Sequence, residues 1–447
     1  MLCSCRQQEE VRILFTGDIL LSRQVKKERN YRNESPWEDL KSLFHDADLV
    51  IGNLEGAVGT TSETPDSNGS PLFAIDSADI SLLSDAGFNV IGIENNHSYD
   101  LGDAGKQITI NQLLKNDIHP VCFENSPYFI SVKGVVLSIV TINMVPRKNN
   151  FENPMYSIEL KQKMRLAKSL SNMVIVSIHW GSELLEWSNK SQREAAKWLI
   201  AQGADIIIGS HPHIVQQPEM IDGKPVFFSL GNHLFDQKYP ATKKGLIVEM
   251  TVKNGKFQCK GITTHTKQNS FYPELKESVL YDFPAFAYNR NLLNINGYSL
   301  IPVSVFEQNK TKIVLEAYHN NRLKWRSHPM PLVSISTAKF DKNEEYIFAL
   351  QNYYSTLDKE VSIRPYVYAI DSLGMYAKWR GSALAFPLLD AQISPHNPQI
   401  LCALHRGDSY ITLSKENTDT RIMAYKWNGF GFSGLSDSIA CQTCPTF

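Results

Sequence analysis

Six short apolar segments of this chain each lead directly into a polar residue that can bind a metal ion. Their length and their content of β-branched residues are typical of buried strands. In α/β sheets, ligand sites form just beyond the carboxyl ends of the strands. The sequence therefore predicts one site that collects the polar residues following the six segments, which are Asp18, Asn53 with Glu55, Glu94 to His97, His179, His211 with His213, and Asn232.

The length and charge of the chain limit the classes of protein to which it can belong. A length of 447 residues exceeds one typical hydrophobic core, so two or more domains are expected. The formal net charge is -1, and no block of like charges occurs. This balance argues against a nucleic-acid partner, which a basic surface would have to hold. No apolar run approaches the roughly 20 residues of a membrane-spanning helix.

The chain changes character near residue 268. Before that point apolar runs alternate with helical patterns, which predicts an α/β domain over residues 11–267. Residues 1–10 form a short polar N-terminus that is either disordered or lipoprotein-like. Residues 268–290 are mixed in composition and contain Pro273 and Pro284, so we expect a linker there.

The last part of the chain, residues 291–447, repeats weakly. Similar segments surround Trp325, Trp379 and Trp427, and these tryptophans recur about 50 residues apart. A repeat of that length with short β-rich runs is typical of stacked β units such as propeller blades. We therefore expect a compact C-terminal β-rich module with blade-like repeats.

The predicted site has the donor atoms of a transition-metal centre. Carboxylate, amide and imidazole groups together suit Mn, Fe or Zn better than calcium. No cysteine lies among them, which argues against a structural zinc site. Taken singly, each feature has a plainer interpretation: His211-Pro-His213 fits an ordinary turn, and Glu55 and Asn96-His97 fit loop caps. The metal interpretation depends on their combination.

The motifs occur in an order that resembles a known family. The relevant stretches are residues 16–23, 52–55, 95–105, 178–183, 209–213, and 229–232 with 235–236. Residues 11 to about 265 resemble the CapA family, also called PgsA, of poly-γ-glutamate capsule biosynthesis proteins. That family belongs to the calcineurin-like metallophosphoesterases. The resemblance implies a four-layer α/β/β/α sandwich and a site for two divalent metal ions, with Mn, Fe or Zn as the candidates.

The resemblance also implies roles for individual residues. By motif position, the metal ligands would be Asp18, Glu55, Asn96, His179, His211 and His213. Asp18 and His213 would bind the first metal, Glu55 would bridge, and the other three would bind the second metal. His97 would face the substrate as an acid or charge stabiliser. Asn96 and His97 are therefore the candidate catalytic residues.

Two departures from the superfamily pattern leave the activity open. The superfamily usually begins with Asp-x-His, whereas Asp18 is followed by Ile19 and Leu20, and Glu55 replaces the bridging Asp. One hypothesis is a hydrolase acting on a phosphoester or on an amide of a poly-γ-glutamate-like polymer. The alternative is a non-catalytic accessory protein that binds an anionic polymer during capsule assembly and export, with capsule-synthesis membrane proteins as partners.

Three charged residues near the motifs have two possible roles. Arg23, Arg147 and Lys148 are candidates to hold an anion at the mouth of the site, although solvated surface charge explains each of them as well.

The two ends of the chain carry cysteines. Leu2-Cys-Ser-Cys5 resembles a bacterial lipobox without its leader, which predicts an extracytoplasmic protein with a lipid tether to the membrane. The alternative is a short cytoplasmic N-terminus. Cys441-Gln-Thr-Cys444 has the spacing of a redox or zinc half-site but lacks a second pair nearby, so we expect an unpaired tail.

Overall fold

The structure is a computed structural model. It describes residues 9–60, 71–147, 151–288, 292–307, 310–340, 344–355, 359–381, 384, 386–407, 419–444 and 447. The chain divides into two compact units. Unit 1 comprises residues 1–155 and 173–289, and unit 2 comprises residues 156–172 and 290–447.

The helices and strands are numbered here along the whole chain. The helices are α1 (Arg23–Arg32), α2 (Lys41–His45), α3 (Ser81–Ala86), α4 (Gly102–Lys115), α5 (Ile158–Leu170), α6 (Lys190–Gln202) and α7 (Asp437–Thr443), with short 3-10 turns at Glu38–Leu40, Ser77–Ile80 and Pro240–Lys243. Among the described residues, none of these helices has the length and apolarity to cross a bilayer.

The strands of unit 1 are β1 (Val11–Ile19), β2 (Leu49–Leu54), β3 (Ala57–Val58), β4 (Ala74–Ile75), β5 (Val90–Gly92), β6 (His119–Val121), β7 (Tyr128–Val132), β8 (Val135–Asn143), β9 (Met173–His179), β10 (Ile206–Ser210), β11 (Val215–Gln216), β12 (Glu219–Ile221), β13 (Lys224–Phe227), β14 (Ser229–Leu230), β15 (Asn232–Leu234), β16 (Lys244–Lys253), β17 (Lys256–Thr266), β18 (Pro273–Asp282) and β19 (Phe286–Ala287). Those of unit 2 are β20 (Leu293–Ile295), β21 (Tyr298–Glu307), β22 (Lys310–His319), β23 (Arg322–Arg326), β24 (Leu332–Ala338), β25 (Tyr346–Ser355), β26 (Glu360–Ile370), β27 (Met375–Arg380), β28 (Leu388–Ile393), β29 (Ile400–Arg406), β30 (Thr420–Trp427) and β31 (Phe432–Gly434).

Two mixed sheets carry the predicted site in unit 1. The first has the order β18-β17-β16-β1-β2-β5-β6, with β15 beside β1 and β19 beside β17. The second has the order β12-β13-β10-β9-β8-β7. Strands β1, β2, β5 and β6 run parallel, as do β8, β9, β10 and β13. Strand β8 is buried along its whole length, as expected of a parallel strand covered on both faces.

One hydrophobic core joins the two sheets. It contains Ile13 and Phe15 of β1 together with Leu137 of β8, Ile175 of β9 and Ile208 of β10. Burial of each such side chain contributes about 1.5–3 kcal/mol to folding. Because both sheets are held to the same core, the carboxyl ends of β1, β2, β9 and β10 are brought to one region of unit 1. The predicted α/β class is therefore confirmed.

Residues 268–290, expected from the sequence to be a linker, contain two strands in the structure. Strand β18 pairs antiparallel with β17, and β19 pairs with the other end of β17. Pro273 is the first residue of β18. Proline is tolerated at this position because its missing N–H costs the sheet few backbone hydrogen bonds. The ring of Phe286 lies 5.1 Å from that of Phe257, so this segment extends the first sheet rather than leaving it.

The described residues of unit 2 form three four-stranded antiparallel sheets, β20–β23, β24–β27 and β28–β31, each in chain order. Trp325 pairs with Ala317 and Trp379 pairs with Val367, and in both cases a register shift follows on the partner strand. These two tryptophans hold equivalent positions on the fourth strand of their sheets. Trp427 lies on β30, the third strand of its sheet, so the third repeat does not place its tryptophan at the position of the other two.

Helix α5 belongs to unit 2 although it lies between β8 and β9 in the chain. Its residues contact strands β21, β24 and β28 of the three sheets. Gln162 Nε2 donates a hydrogen bond of 2.8 Å to the carbonyl of Leu389, and Arg165 forms an ion pair with Asp390. The sequence placed this helix in the first domain because its strand–helix–strand context is local, whereas its hydrogen-bond and ion-pair partners Leu389 and Asp390 lie more than 200 residues away.

The prediction of an unpaired C-terminal tail is wrong for Cys444. Cys444 forms a disulfide with Cys402 of β29, 42 residues earlier in the chain. Helix α7 precedes Cys444, and its Ala440 packs with Cys402 and Ala424 in a small core. Spacing within the motif could not reveal this pairing, because the partner cysteine lies on a distant strand. Cys441 is an exposed free cysteine.

We expect the Arg165–Asp390 ion pair to stabilise unit 2. The Asp390 side chain is only 4% exposed, so Arg165→Met leaves a buried carboxylate without its ion-pair partner. The free energy of unfolding in urea should fall by about 2 kcal/mol, and adding Asp390→Leu should recover most of that loss. Arg326→Met is the matched control, because Arg326 is 64% exposed and its pair with Glu316 should contribute about 0–1 kcal/mol. Equal effects of the two arginine substitutions would contradict this expectation.

Candidate metal centre

Asp18 is fixed where three strands meet. It lies on β1 in register with Asn53 on β2 and Asn232 on β15. Asn53 Nδ2 donates to Asp18 Oδ1 at 2.8 Å, and the backbone N–H of His211 donates to Asp18 Oδ2 at 3.2 Å. The Asp18 residue is fully buried. These donors orient the carboxylate at the centre of the site.

Glu55, one residue beyond β2, is fully buried, and its environment is unusual for a carboxylate. Neither of its carboxylate oxygens has a hydrogen-bond partner among the described residues. His179 Nε2 lies 3.9 Å from Oε1, and His213 Nε2 lies 3.9 Å from Oε2. Burial raises the pKa of Glu55 well above its usual range, and the nearby charge of Asp18 raises it further. In its ionised form a carboxylate placed in this way needs a positive charge nearby, and without one it tends to take up a proton.

His179, the last residue of β9, is oriented from both sides of its ring. Its Nδ1 lies 2.9 Å from Ser210 Oγ, and its Nε2 lies 2.9 Å from Asn96 Oδ1. Burial lowers the pKa of His179 well below its usual value, and His211 lowers it further. The ring is therefore neutral, which is the form of imidazole that binds metals. Nε2 faces the space shared with Asn96 and Glu55.

The His211-Pro-His213 loop has a constrained backbone. His211 has φ of 96° and His213 has φ of 60°, both in the left-handed region that side chains other than glycine rarely adopt. Gly209 lies just before the loop and packs against the backbone of Phe228, the residue before β14. A Cβ added to Gly209 would lie 2.1 Å from the carbonyl oxygen of Phe228. Backbone strain of this kind is maintained only where surrounding structure enforces it, and it is concentrated at functional sites.

The pKa values of the two histidines of this loop are shifted in opposite directions. Burial and the charge of His213 lower the pKa of His211 to about 4. Burial alone would also lower the pKa of His213, but Glu55 and Asp18 outweigh it and raise that pKa to about 9. His213 Nδ1 also lies 2.8 Å from Asn232 Oδ1. The two carboxylates thus favour a positive charge at His213, and a cation bound at this position would serve the same purpose.

The residues predicted as ligands lie together. The ligand atoms of Asp18, Glu55 and His213 are all within 4.8 Å of one another, and this buried group could hold a metal ion. The His211 ring centroid lies 4.8 Å from that of His179 and 6.2 Å from that of His213. Together with the contact between Asn96 and His179, these distances place all six predicted ligands in one continuous cluster.

His97 lies at the side of this cluster. Its Nδ1 is 2.9 Å from Asp100 Oδ2, and its ring stacks on Phe73 with a centroid distance of 3.8 Å. The backbone N–H of His97 donates to Asn95 Oδ1 at 3.1 Å. The predicted catalytic histidine is therefore oriented by a carboxylate and an aromatic ring rather than by the candidate metal ligands.

Sequence reasoning did not identify the residues that support the ligands. Asp100 holds His97, Ser210 holds His179, and Phe235 packs against His213 with ring centroids 4.6 Å apart. The first two had a usable signal, because Asp100 follows His97 by three residues and Ser210 precedes His211 directly. Nothing in the local sequence marks Phe235.

The cations expected at the mouth have different partners. Arg23 Nε lies 3.1 Å from Asp236 Oδ2, and Arg147 Nη1 lies 3.0 Å from Glu94 Oε1. Lys148 lies outside the described residues.

The close approach at Gly209 should make this position intolerant of any side chain. Gly209→Ala forces a Cβ onto the carbonyl of Phe228, so the free energy of unfolding should fall by at least about 3 kcal/mol. Gly223→Ala is the control, because Gly223 has φ of +74° and no atom near an added Cβ, and strain alone should account for about 1–2 kcal/mol. Thermal or urea unfolding measures both, and a Gly209 variant as stable as the control would contradict the expectation.

Comparison with known proteins agrees with the motifs. Residues 12–237 match the family described as "Bacterial capsule synthesis protein PGA_cap". The "PGA biosynthesis protein CapA" of Bacillus subtilis (strain 168) is 27% identical over 280 residues, which are 56% of this chain and 71% of that protein. The "Capsule biosynthesis protein CapA" of Bacillus anthracis is 25% identical over 272 residues, 56% of this chain and 66% of that protein. Since the family match spans half of the chain, and since the motifs predicted the same relationship, the chain belongs to the bacterial capsule synthesis (PGA_cap) family of CapA/PgsA proteins.

Proposed function

We propose that this chain is a metal-dependent hydrolase of the metallophosphoesterase type that acts in capsule or cell-surface polymer biosynthesis. Its substrate would be a phosphoester or an amide of a poly-γ-glutamate-like polymer. The observation that carries the proposal is Glu55, a buried carboxylate without hydrogen-bond partners among the described residues, with one imidazole near each of its oxygens. Such a group is costly in its ionised form unless a cation binds it, and the surrounding donor set fits a divalent metal ion.

The architecture supports the metallophosphoesterase assignment. Two mixed sheets share one core, and the candidate ligands follow the carboxyl ends of their strands. This arrangement is consistent with the inner two layers of a four-layer α/β/β/α sandwich, which we propose for unit 1.

The ligands would divide between two metal ions. Asp18 and His213 would hold one ion, Asn96, His179 and His211 would hold the other, and Glu55 would bridge. Mixed oxygen and imidazole donors favour Mn, Fe or Zn. When bound, the ions would supply Lewis-acid activation of the substrate and a water of lowered pKa.

The chain's own residues would handle the proton of the leaving group. Asp100 accepts a hydrogen bond from His97 Nδ1, which orients the ring and leaves Nε2 available to the substrate. Phe73 stacks on this ring and limits its rotation and its access to water. His97 can then deliver a proton from Nε2 to the departing oxygen or nitrogen.

A second candidate function is supported by the residues after Asp18. Ile19 and Leu20 are both fully buried where the superfamily pattern would supply a histidine, so the first metal would have one imidazole fewer. A weakly held first metal favours the accessory role, in which the protein binds an anionic polymer during assembly and export. Capsule-synthesis membrane proteins would be its partners in that case.

We also propose an extracytoplasmic location with a lipid tether. The Cys402–Cys444 disulfide supports it, because structural disulfides persist mainly in oxidising compartments. The names of the two CapA relatives, which refer to PGA and capsule biosynthesis, agree with a surface role. The lipobox-like Leu2-Cys-Ser-Cys5 lies outside the described residues.

Metal dependence can be tested with His179→Ala. The wild-type protein should bind about two equivalents of Mn²⁺ and hydrolyse p-nitrophenyl phosphate or γ-linked glutamate oligomers, and the variant should lose at least one equivalent and on the order of 100-fold in turnover. His119→Ala is the matched control, because His119 lies in the same unit and contacts Tyr128 instead. Metal without turnover in the wild type would favour the accessory role, and a wild type that binds no metal would contradict both the site and the hydrolase.

The role of His97 predicts a dependence on the leaving group. His97→Gln and Asp100→Asn should slow hydrolysis of phenyl phosphate by about 100-fold or more, because phenolate leaves poorly without a proton. The loss should be much smaller for p-nitrophenyl phosphate, whose leaving group is already stable as an anion. Metal content, measured in the same samples, should not change. An equal loss for both esters would argue against proton donation by His97.

A further inference from the structure

Arg23 occupies an unusual position at the start of α1. It follows Asp18 by five residues and has a left-handed backbone, with φ of 56°. Its side chain is 41% exposed, so solvent or a ligand can reach the guanidinium. The left-handed conformation is uncommon for arginine and is retained only where the surroundings enforce it.

A buried carboxylate holds this arginine in place. Arg23 Nε lies 3.1 Å from Asp236 Oδ2, and the Asp236 side chain is fully buried. The same oxygen accepts a hydrogen bond of 3.2 Å from the backbone N–H of Gln24. The ion pair engages the Nε edge, whereas a guanidinium also has N–H donors on its two terminal nitrogens. Arg23 is therefore anchored on one side and has donors for a second oxyanion.

Two aromatic rings connect Arg23 to the candidate metal centre. Arg23 Cζ lies 5.2 Å from the ring centroid of Phe73, the same ring on which His97 stacks. The Phe73 centroid is 5.9 Å from that of Phe235, which in turn packs against His213. The guanidinium thus lies over Phe73, which contacts His97 directly and His213 through Phe235.

Other cations near the site are less available. Arg147 is 16% exposed and pairs with the buried Glu94. Lys106 is 7% exposed and pairs with both Glu94 and Glu124. Their charges are matched by carboxylates within the same cluster. Arg23 combines an anchor with solvent access, and this combination is what binding of a substrate anion requires.

We infer that Arg23 binds an oxyanion of the substrate, a carboxylate or a phosphate, next to the bond that is cleaved at the metal centre. This inference rests on the proposed function for the position of that bond. The anchored, planar guanidinium can form paired charge-assisted hydrogen bonds with either group. It would select a polyanionic chain over a neutral one and would hold the chain beside His97.

Calorimetric titration of the full-length, Mn²⁺-loaded protein tests this role. The probes are a γ-linked pentaglutamate for the carboxylate source, inorganic phosphate for the phosphate source, and the fully amidated pentaglutamate as the neutral control. The variants are Arg23→Gln, which removes the charge, and Arg23→Lys, which keeps a charge beside Asp236 without the planar fork. Arg32→Gln is the matched control, because Arg32 lies on the same helix and pairs with Glu28.

We expect Arg23→Gln to weaken binding of the pentaglutamate, of phosphate or of both by about ten- to a hundredfold. Arg23→Lys should recover part of this loss, and Arg32→Gln should bind as the wild type does. The ligand that responds identifies the source of the oxyanion. Metal content and thermal unfolding should stay unchanged in Arg23→Lys, which separates loss of binding from loss of structure.

The inference is overturned if Arg23→Gln binds both anions as tightly as the wild type, if the amidated oligomer binds equally well, or if the wild type binds neither anion. Its outcome is separable from that of the hydrolase proposal. Arg23-dependent binding without turnover would refute the hydrolase and leave the inference standing. Turnover that does not change when Arg23 is substituted would refute the inference and leave the hydrolase proposal standing.

Discussion

The buried carboxylate of Glu55 is the constraint around which unit 1 is organised. A carboxylate removed from water and given no hydrogen-bond donor destabilises the folded protein unless a positive charge compensates it. His179 and His213 approach its two oxygens, and burial and Asp18 raise its pKa. The surrounding framework therefore has to hold Glu55, Asp18 and the histidines at fixed positions away from bulk water. That requirement explains why the site is built on strand ends anchored to a shared core instead of on exposed loops.

The framework meets this requirement through close backbone contacts. Gly17 and Gly209 lie so near neighbouring carbonyls that no side chain fits at either position. The left-handed residues His211 and His213 follow directly, so the strained loop is fixed at one end by β10. Rigid placement of ligands lowers the reorganisation that metal binding or catalysis would otherwise need. Arg23 is also held in a fixed position, because the buried Asp236 forms an ion pair with its Nε.

Unit 2 shows that the order of residues along the chain does not determine which unit they join. Helix α5 is flanked in sequence by β8 and β9 of unit 1, yet it contacts strands of three sheets in unit 2. The Cys402–Cys444 disulfide then ties the C-terminal helix to β29. Cutting the chain after residue 267 would separate α5 from strands β21, β24 and β28. The division between the two units therefore does not fall at a single point along the chain.

The sequence by itself predicted strands at the six apolar segments of unit 1 and the candidate ligands at their ends. Both follow from local patterns: runs of β-branched residues define buried strands, and parallel strands present their carboxyl ends to a common region. It also determined the equivalence of Trp325 and Trp379, which a repeat makes visible. Only the tertiary structure decided the unit to which α5 belongs, the strand formed after Pro273, the partner of Cys444 and the anchor of Arg23. Each of these depends on a contact between residues far apart in the chain, and such contacts leave no periodic or short-range signal in the sequence.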